Sequence, residues 1–288
     1  MREAHVARPE FIRAVQDEMS GIVEKPLPWT TRAVANPWLR KAFLLVVLAV
    51  AWEIYATVLN NPLLVPRFSE TMRAFYETAA NGTLPARAWV SIRVLLIGYV
   101  AGMLAAAALA AFASSSRIGR DLLETLTAMF NPLPAIALLP LAMIWFGLGN
   151  GSLVFVLIHS VLWPVALNTH SGFLSVSSTM RMVGRNYGLT GVRLIWKILI
   201  PAAFPNILSG LKIGWAFAWR TLIAAELVFG ATAGSGGLGW FIYENKNQLE
   251  IPNVFAGLFS VILIGLLVEN LLFRNIESRT IRRWGMHA

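Results

Sequence analysis

Six long apolar runs, at Ala42 to Leu59, Ala88 to Ala113, Leu122 to Phe146, Leu153 to Leu167, Ile207 to Phe229 and Val254 to Phe273, dominate this sequence. Most approach the roughly 20 residues that a helix needs to cross the hydrocarbon of a bilayer. With 57% hydrophobic and only 14% charged residues, the chain carries more apolar surface than one water-soluble core can hide. The expected fold class is therefore an all-α polytopic membrane protein of about six transmembrane helices, the fourth the shortest. A terminal extension over 1–40, a membrane domain over 41–273 with a basic loop at 177–205, and a basic tail over 274–288 complete the expected organisation. The chain has no cysteine, so disulfides, thiolate chemistry and cysteine metal sites are excluded.

Basic residues fix an orientation. Arg2, Arg8, Arg13, Lys25, Arg32, Arg40 and Lys41 precede the first run, Arg117 and Arg120 join the second to the third, and Arg181, Arg185, Arg193 and Lys197 join the fourth to the fifth. Arg274, Arg279, Arg282 and Arg283 follow the sixth, whereas the opposite side holds only Arg67, Arg73, Arg87 and Lys246. The positive-inside rule then predicts both termini and the loop at 177–205 in the cytoplasm. The net charge of +9 is mostly this topological signal. Without an aromatic-interleaved basic patch on a soluble domain, nucleic-acid binding is not expected.

The extension lacks an adequate apolar core for a signal peptide, and Glu3 and Glu10 interrupt its basic character, so it is expected to stay on the chain. Phe11, Ile12, Val15, Met19 and Ile22 fall near one helical face and suit an amphipathic helix, although a solvated tail is equally compatible.

The loop from Ser177 to Pro205 reads as two short amphipathic helices. Ser177 or Ser178 caps the first, Gly188 suits its left-handed end, and Thr190 caps a second that stops before Pro201. Met180, Val183 and Tyr187 share one face of the first, with Arg181 and Arg185 four apart; Val192, Trp196 and Ile200 share a face of the second, with Arg193 and Lys197 on another. Such a pair offers a docking surface, and periodicity alone serves an interfacial connector equally well.

Within the spans, Asn131, Pro132, Pro134 and Pro140 interrupt the third. Each proline removes a backbone donor, a defect tolerated in lipid only against protein or a water-lined cavity, so this span is expected either to line a pathway or to be a kinked packing helix. Glu53, Arg93, Arg220, Glu226, Glu269 and His159 are the polar residues of note inside spans, where a charge costs about 2.5–3.5 kcal/mol near the centre. At about 1.5 Å per residue from Asn206, Arg220 lies roughly 20 Å along its span. Arg220 and Glu226 are turned about 240° apart and make poor partners. Arg220 is expected to pair with Glu53 or Glu269 or to meet an anion, and His159 to be packed or bonded to water. Gly234, Gly236 and Gly239 match a dinucleotide-binding string, but without a strand–turn–helix context they predict a turn or half-helix at the mouth of a path.

No enzyme constellation appears: the four histidines are scattered and no Walker A string is present. Any ATP-driven work must come from another subunit.

Gly188, then Leu-Thr, then ten residues to Ile200-Pro201 and on to Pro205, resembles the cytoplasmic EAA loop of permeases in binding-protein-dependent ATP-binding-cassette importers. Pro134-Ala-Ile-Ala-Leu-Leu-Pro140, Trp145-Phe-Gly-Leu-Gly149, Ile207-Leu-Ser-Gly-Leu-Lys212, Ala225-Glu-Leu227 and Gly236-Gly-Leu-Gly239 are similar to the nitrate, sulfonate and taurine branch. The likeness runs from about Arg40 to Gly285. It implies a permease that pairs with a second copy, as a homodimer, and with two cytoplasmic ATPases that hold ATP and magnesium, no cofactor being bound by this chain. It also implies a solute-binding protein outside and a bacterial inner-membrane location. The ATPase-coupling residues it implies are Arg181, Met182, Val183, Gly184, Arg185, Tyr187, Gly188, Thr190, Arg193, Trp196 and Pro201; Asn131, Pro134, Arg220, Glu226, Gly236 and Gly239 are expected along the path. Where the family has Glu-Ala-Ala, this chain has Met182-Val183-Gly184, so the acidic contact is absent or replaced, with Arg185 beside it.

The expected function is a membrane-spanning importer subunit for a small anion such as nitrate, taurine, a sulfonate or bicarbonate. The alternative of another class is an ion-coupled carrier or channel without an ATPase, using Glu53, Glu226 and Glu269 as ion sites.

Overall fold

Backbone amides in an apolar surround must be paired within the chain, and a helix pairs them locally. Accordingly every long apolar run is helical in the computed structural model, which describes residues 36–229, 236–281 and 283. Among these there is no strand. The amphipathic helix expected around Phe11 to Ile22, together with Gly234 and Arg282, lies outside the described residues.

The chain forms two units, Met1–Ala51 and Trp52–Ala288. In the first, the described residues belong to the opening turns of α1 (Pro37–Leu59). Phe43 to Leu48 there are exposed and apolar, as a lipid-facing surface requires.

The second unit holds the rest of α1 and the remaining helices. These are α2 (Phe68–Ala80), α3 (Thr83–Ser115), α4 (Arg117–Phe130), a 3₁₀ turn (Ala135–Leu138) leading into α5 (Leu139–Phe146), and α6 (Asn150–Ser175). After them come α7 (Ser178–Asn186), α8 (Gly191–Leu194), a π turn (Ile195–Leu199), α9 (Ile200–Phe229) and α10 (Leu238–Asn247). The chain then runs through α11 (Ile251–Leu267) and a second π turn (Val268–Phe273) into α12 (Arg274–Arg279). Among the described residues five helical stretches are long and apolar enough to cross a membrane, and six if α4 and the Ala135–Phe146 segment count as one span bent by 87°.

The fourth span, expected to be the shortest, is instead the 26-residue α6, the helix at the centre of the unit. It packs along α3 on one side and α9 on the other. Its apolar run looked short because Ser152, Ser160, Thr169 and His170 interrupt it, yet all are buried against protein. Helical carbonyls absorb such hydroxyls: Ser160 Oγ lies 3.2 Å from Val156 O.

Close approach on both sides of α6 depends on glycine. A Cβ on Gly98 of α3 would stand 2.5 Å from Leu157 Cβ, one on Gly102 2.8 Å from Val161 Cβ, and one on Gly210 of α9 2.8 Å from Asn168 Cβ. With Gly214, which faces Val165, these form small residues four apart, the pattern that lets membrane helices associate by van der Waals contact.

The helix after Thr190 does not stop before Pro201. It continues from Gly191 to Val228 as one span. The π turn explains this, because Ile200 N–H bonds to Ile195 O five residues back, widening the helix where the proline ring must fit.

Candidate functional site

The break in the third span is sharp. Pro132 and Pro134 cannot donate, and α4 gives way to the 3₁₀ turn across Asn131 to Pro134, with Leu133 N–H bonding to Phe130 O at 3.1 Å and Ala137 N–H to Pro134 O at 2.9 Å. Beside the break lies a cavity of about 390 Å³, lined by Asn131 to Ile136 on one wall and by residues of α6 and α9 on the others. Irregular backbone thus coincides with a cavity, the setting in which membrane proteins tolerate it.

From α9 come Phe217, Arg220, Thr221 and Ala224, and from α6 His159, Ser160, Trp163 and Pro164. The α9 residues recur at i, i+3, i+4 and i+7, one helical face. Arg220 Nε donates to Ala216 O at 3.1 Å, and its guanidinium lies over the Phe217 ring at 5.0 Å. Neither Glu53 nor Glu269 is its partner, contrary to the pairing expected from the sequence. Glu53 accepts from Ser69 N–H at 3.0 Å and Ser69 Oγ at 2.9 Å at the start of α2, and Glu269 lies 3.8 Å from Lys212 Nζ. Lys212, overlooked as a span residue, also bonds Glu277 at 2.8 Å. Among the described residues no carboxylate stands within ion-pair distance of Arg220. A cation held so at membrane depth costs about 2.5–3.5 kcal/mol unless something neutralises it.

Opposite Arg220 the wall is aromatic. Trp163 stacks on Phe130 at 5.7 Å and 10°, and His159 sets its edge against both rings at 5.8 and 6.4 Å. His159 is therefore packed, as expected. Ser160 Oγ lies 3.1 Å from Thr221 Oγ1, tying the two walls together.

Glu226, Gly236 and Gly239 occupy a different place. Glu226 is 4% exposed and faces Ser91, whose hydroxyl lies 2.9 Å from both carboxylate oxygens. Gly239 N–H donates to Glu226 Oε2 at 2.8 Å, while Leu238 N–H donates to Ser91 Oγ at 2.9 Å. Both are free donors at the start of α10, and a carboxylate there is held by hydrogen bonds and the helix dipole. Arg87 bonds Gly236 O at 3.0 Å and Glu244 at 3.1 Å, fastening the same helix to α3. Gly239 is thus helical and within a buried latch, and only Asn131, Pro134 and Arg220 of the expected path residues meet at the cavity.

The basic loop is a helical hairpin. Ser177 Oγ accepts from Met180 N–H at 3.3 Å, capping α7. Gly188 has φ +73°, and Gly188 N–H to Arg185 O at 2.8 Å with Leu189 N–H to Gly184 O at 3.0 Å completes a Schellman closure. Thr190 stands at the start of α8 but its side chain makes no capping bond. Gly184 packs against the second arm, where its Cβ would lie 2.8 Å from Leu194 Cδ1. The buried face of that arm is Ile195 and Leu199, whereas Val192 and Trp196 are 69% and 68% exposed. Arg181 is not on the open surface: its guanidinium bonds Phe173 O and Val176 O at the end of α6. What remains outside is apolar, from Met180, Met182, Val183, Tyr187, Val192 and Trp196, with Arg185, Arg193 and Lys197 exposed among them. Pro201 is exposed just beyond. An apolar patch with a basic rim marks a contact surface.

Residues 98–282 match the model of the family described as binding-protein-dependent transport system inner membrane component. The chain is 30% identical over 234 residues to a putative ABC transporter permease protein of Methanocaldococcus jannaschii, covering 80% of this chain and 86% of that one. It is 29% identical over 231 residues to the taurine transport system permease protein TauC of Escherichia coli, covering 78% and 82%. It is also 28% identical over 241 residues to the nitrate import permease protein NrtB of Synechocystis, covering 81% and 86%. The chain belongs to this family of binding-protein-dependent inner-membrane components, as a multi-pass permease subunit of the nitrate, sulfonate and taurine branch of ATP-binding-cassette transporters, and is not an enzyme.

Proposed function

We propose that this permease forms the path for a small anion in an ATP-driven importer, with the cavity beside Arg220 as the point where the solute is held. The observation that carries the reading is Arg220 itself, a guanidinium with no carboxylate partner among the described residues, facing a cavity at a break in a span. An anion supplies the missing charge, and in a low-dielectric surround its attraction is stronger than in water. Relatives named for taurine, aliphatic sulfonates and nitrate agree with an anionic cargo.

The hairpin from Ser177 to Pro205 is the docking element for the ATPase. The Met182-Val183-Gly184 string supports this despite its departure from Glu-Ala-Ala, because Gly184 keeps the arms in contact while Met182 and Val183 stay exposed. A groove that accepts this hairpin is apolar at its centre and acidic at its rim, complementary to Arg185, Arg193 and Lys197. The full assembly is a homodimer of this chain with two ATPases that carry ATP and magnesium and a solute-binding protein on the far side. Both termini and the hairpin lie in the cytoplasm, as the distribution of basic residues indicates.

Uptake by cells carrying the complete importer, measured together with the amount of this chain in the membrane, tests the reading. Arg220→Ala is expected to lower uptake about tenfold or more with the membrane level unchanged. Equal loss of uptake and protein would make Arg220 structural.

A further inference from the structure

Resting on the reading of the cavity as the solute site, we infer that its cargo is an organic oxyanion with a flat, apolar body, a sulfonate or carboxylate head on an aromatic ring, and not a bare inorganic ion. Arg220, Thr221 and Ser160 bring a charge and two hydroxyls to the facing walls of α9 and α6. Arg220 uses Nε on Ala216 O, and neither Nη makes a hydrogen bond among the described residues, so a planar pair of donors is free for two oxygens of one head group. Thr221 Oγ1, 3.1 Å from Ser160 Oγ, adds a hydroxyl beside them.

The rest of the lining answers a different chemistry. Asn131, His159 and the Trp163 indole N–H add polar atoms there, but the prolines and aliphatic residues of the break, with the rings of Trp163 and Phe217, do not replace the hydration of nitrate or bicarbonate. They do offer apolar area and ring faces. Trp163 is braced by its stack on Phe130 at 5.7 Å and by the edge of His159, and Phe217 lies under the guanidinium at 5.0 Å. Aromatic rings set this way favour an offset-stacked or edge-on partner ring. The volume of about 390 Å³ also lies in the range of pockets that enclose multi-atom organic ligands, about 300–1,000 Å³.

The test uses the full-length chain in lipid nanodiscs with radiolabelled benzenesulfonate as probe and nitrate or ethanesulfonate as competitor. Saturable binding is expected, with both competitors needing at least about tenfold higher concentration than unlabelled benzenesulfonate. Arg220→Gln is expected to weaken binding about tenfold or more. Phe217→Ala weakens it several-fold, and Phe217→Trp restores it and shows that loss in the alanine variant is not misfolding. Displacement by nitrate or ethanesulfonate at equal concentration overturns the assignment, as does absence of binding or binding unchanged in the Arg220 and Phe217→Ala variants. Recovery of the ATPase by the same nanodiscs is scored separately: its docking with no preference for the aromatic probe overturns the cargo class alone, and failure to dock overturns the importer reading.

Discussion

Two charges on α9, one exposed and one buried, carry opposite duties, and the difference lies in what surrounds each. Arg220 faces open space with its outer nitrogens free, whereas Glu226, six residues on, is enclosed and accepts from Ser91 and Gly239. Glu226→Ala strands the Ser91 hydroxyl and the Gly239 N–H in a buried place, a loss of about 1–3 kcal/mol. The expected outcome is a lowered thermal midpoint of the purified chain and less protein in the membrane. Glu226→Gln recovers much of both, because an amide oxygen still accepts. A variant that keeps full stability but loses uptake contradicts the latch and returns Glu226 to the path. The sequence could separate the two residues by helical angle, but it could not reveal Ser91 as a partner 135 positions away. Arg220's missing partner was equally hidden, because Glu53 turned out to be engaged at the head of α2.

Among elements, the hairpin was the most legible. Ser177, Gly188 and the two basic arms could be read directly, since capping and left-handed glycine are local chemistry. Its packing face was not, because Ile195 and Leu199 are chosen by the end of α6 and not by periodicity. Pro201 misled for a similar reason: a π turn absorbs it, and no single-residue propensity announces one. Gly188→Asp forces a side chain into φ +73° at a cost of roughly 1–2 kcal/mol and adds a negative charge to a basic surface. Loss of ATPase binding with normal membrane insertion is the expected result in a co-purification assay. At the α3–α6 contact, Gly98→Val drives a branched side chain into Leu157, an overpacking worth about 1–3 kcal/mol. Its mark is reduced thermal stability without a change in the ATPase contact. The glycine pairs behind this contact were visible in the sequence as residues four apart, but only an identified neighbour gives them meaning.

For the molecule as a whole, composition fixed the class and the number of spans to within the one that is broken. The depth of α6 escaped, since a helix surrounded by protein tolerates polar residues that lower its apparent hydropathy. Cavity and hairpin lie on one continuous helical stretch, Gly191 to Val228, which holds Trp196 near one end and Arg220 near the other. This stretch joins the second arm of the hairpin to the cavity wall with no intervening loop. Under the proposed function an ATPase seats on this hairpin and drives anion movement past Arg220. The most direct measurement is affinity purification of the tagged full-length chain from detergent-solubilised native membranes, with mass spectrometry of what accompanies it. An ATP-binding-cassette ATPase is expected alongside the wild type and is expected to be lost from Gly188→Asp. A chain recovered without any ATPase, and moving anions in ATP-free vesicles under an ion gradient, would contradict the proposed function.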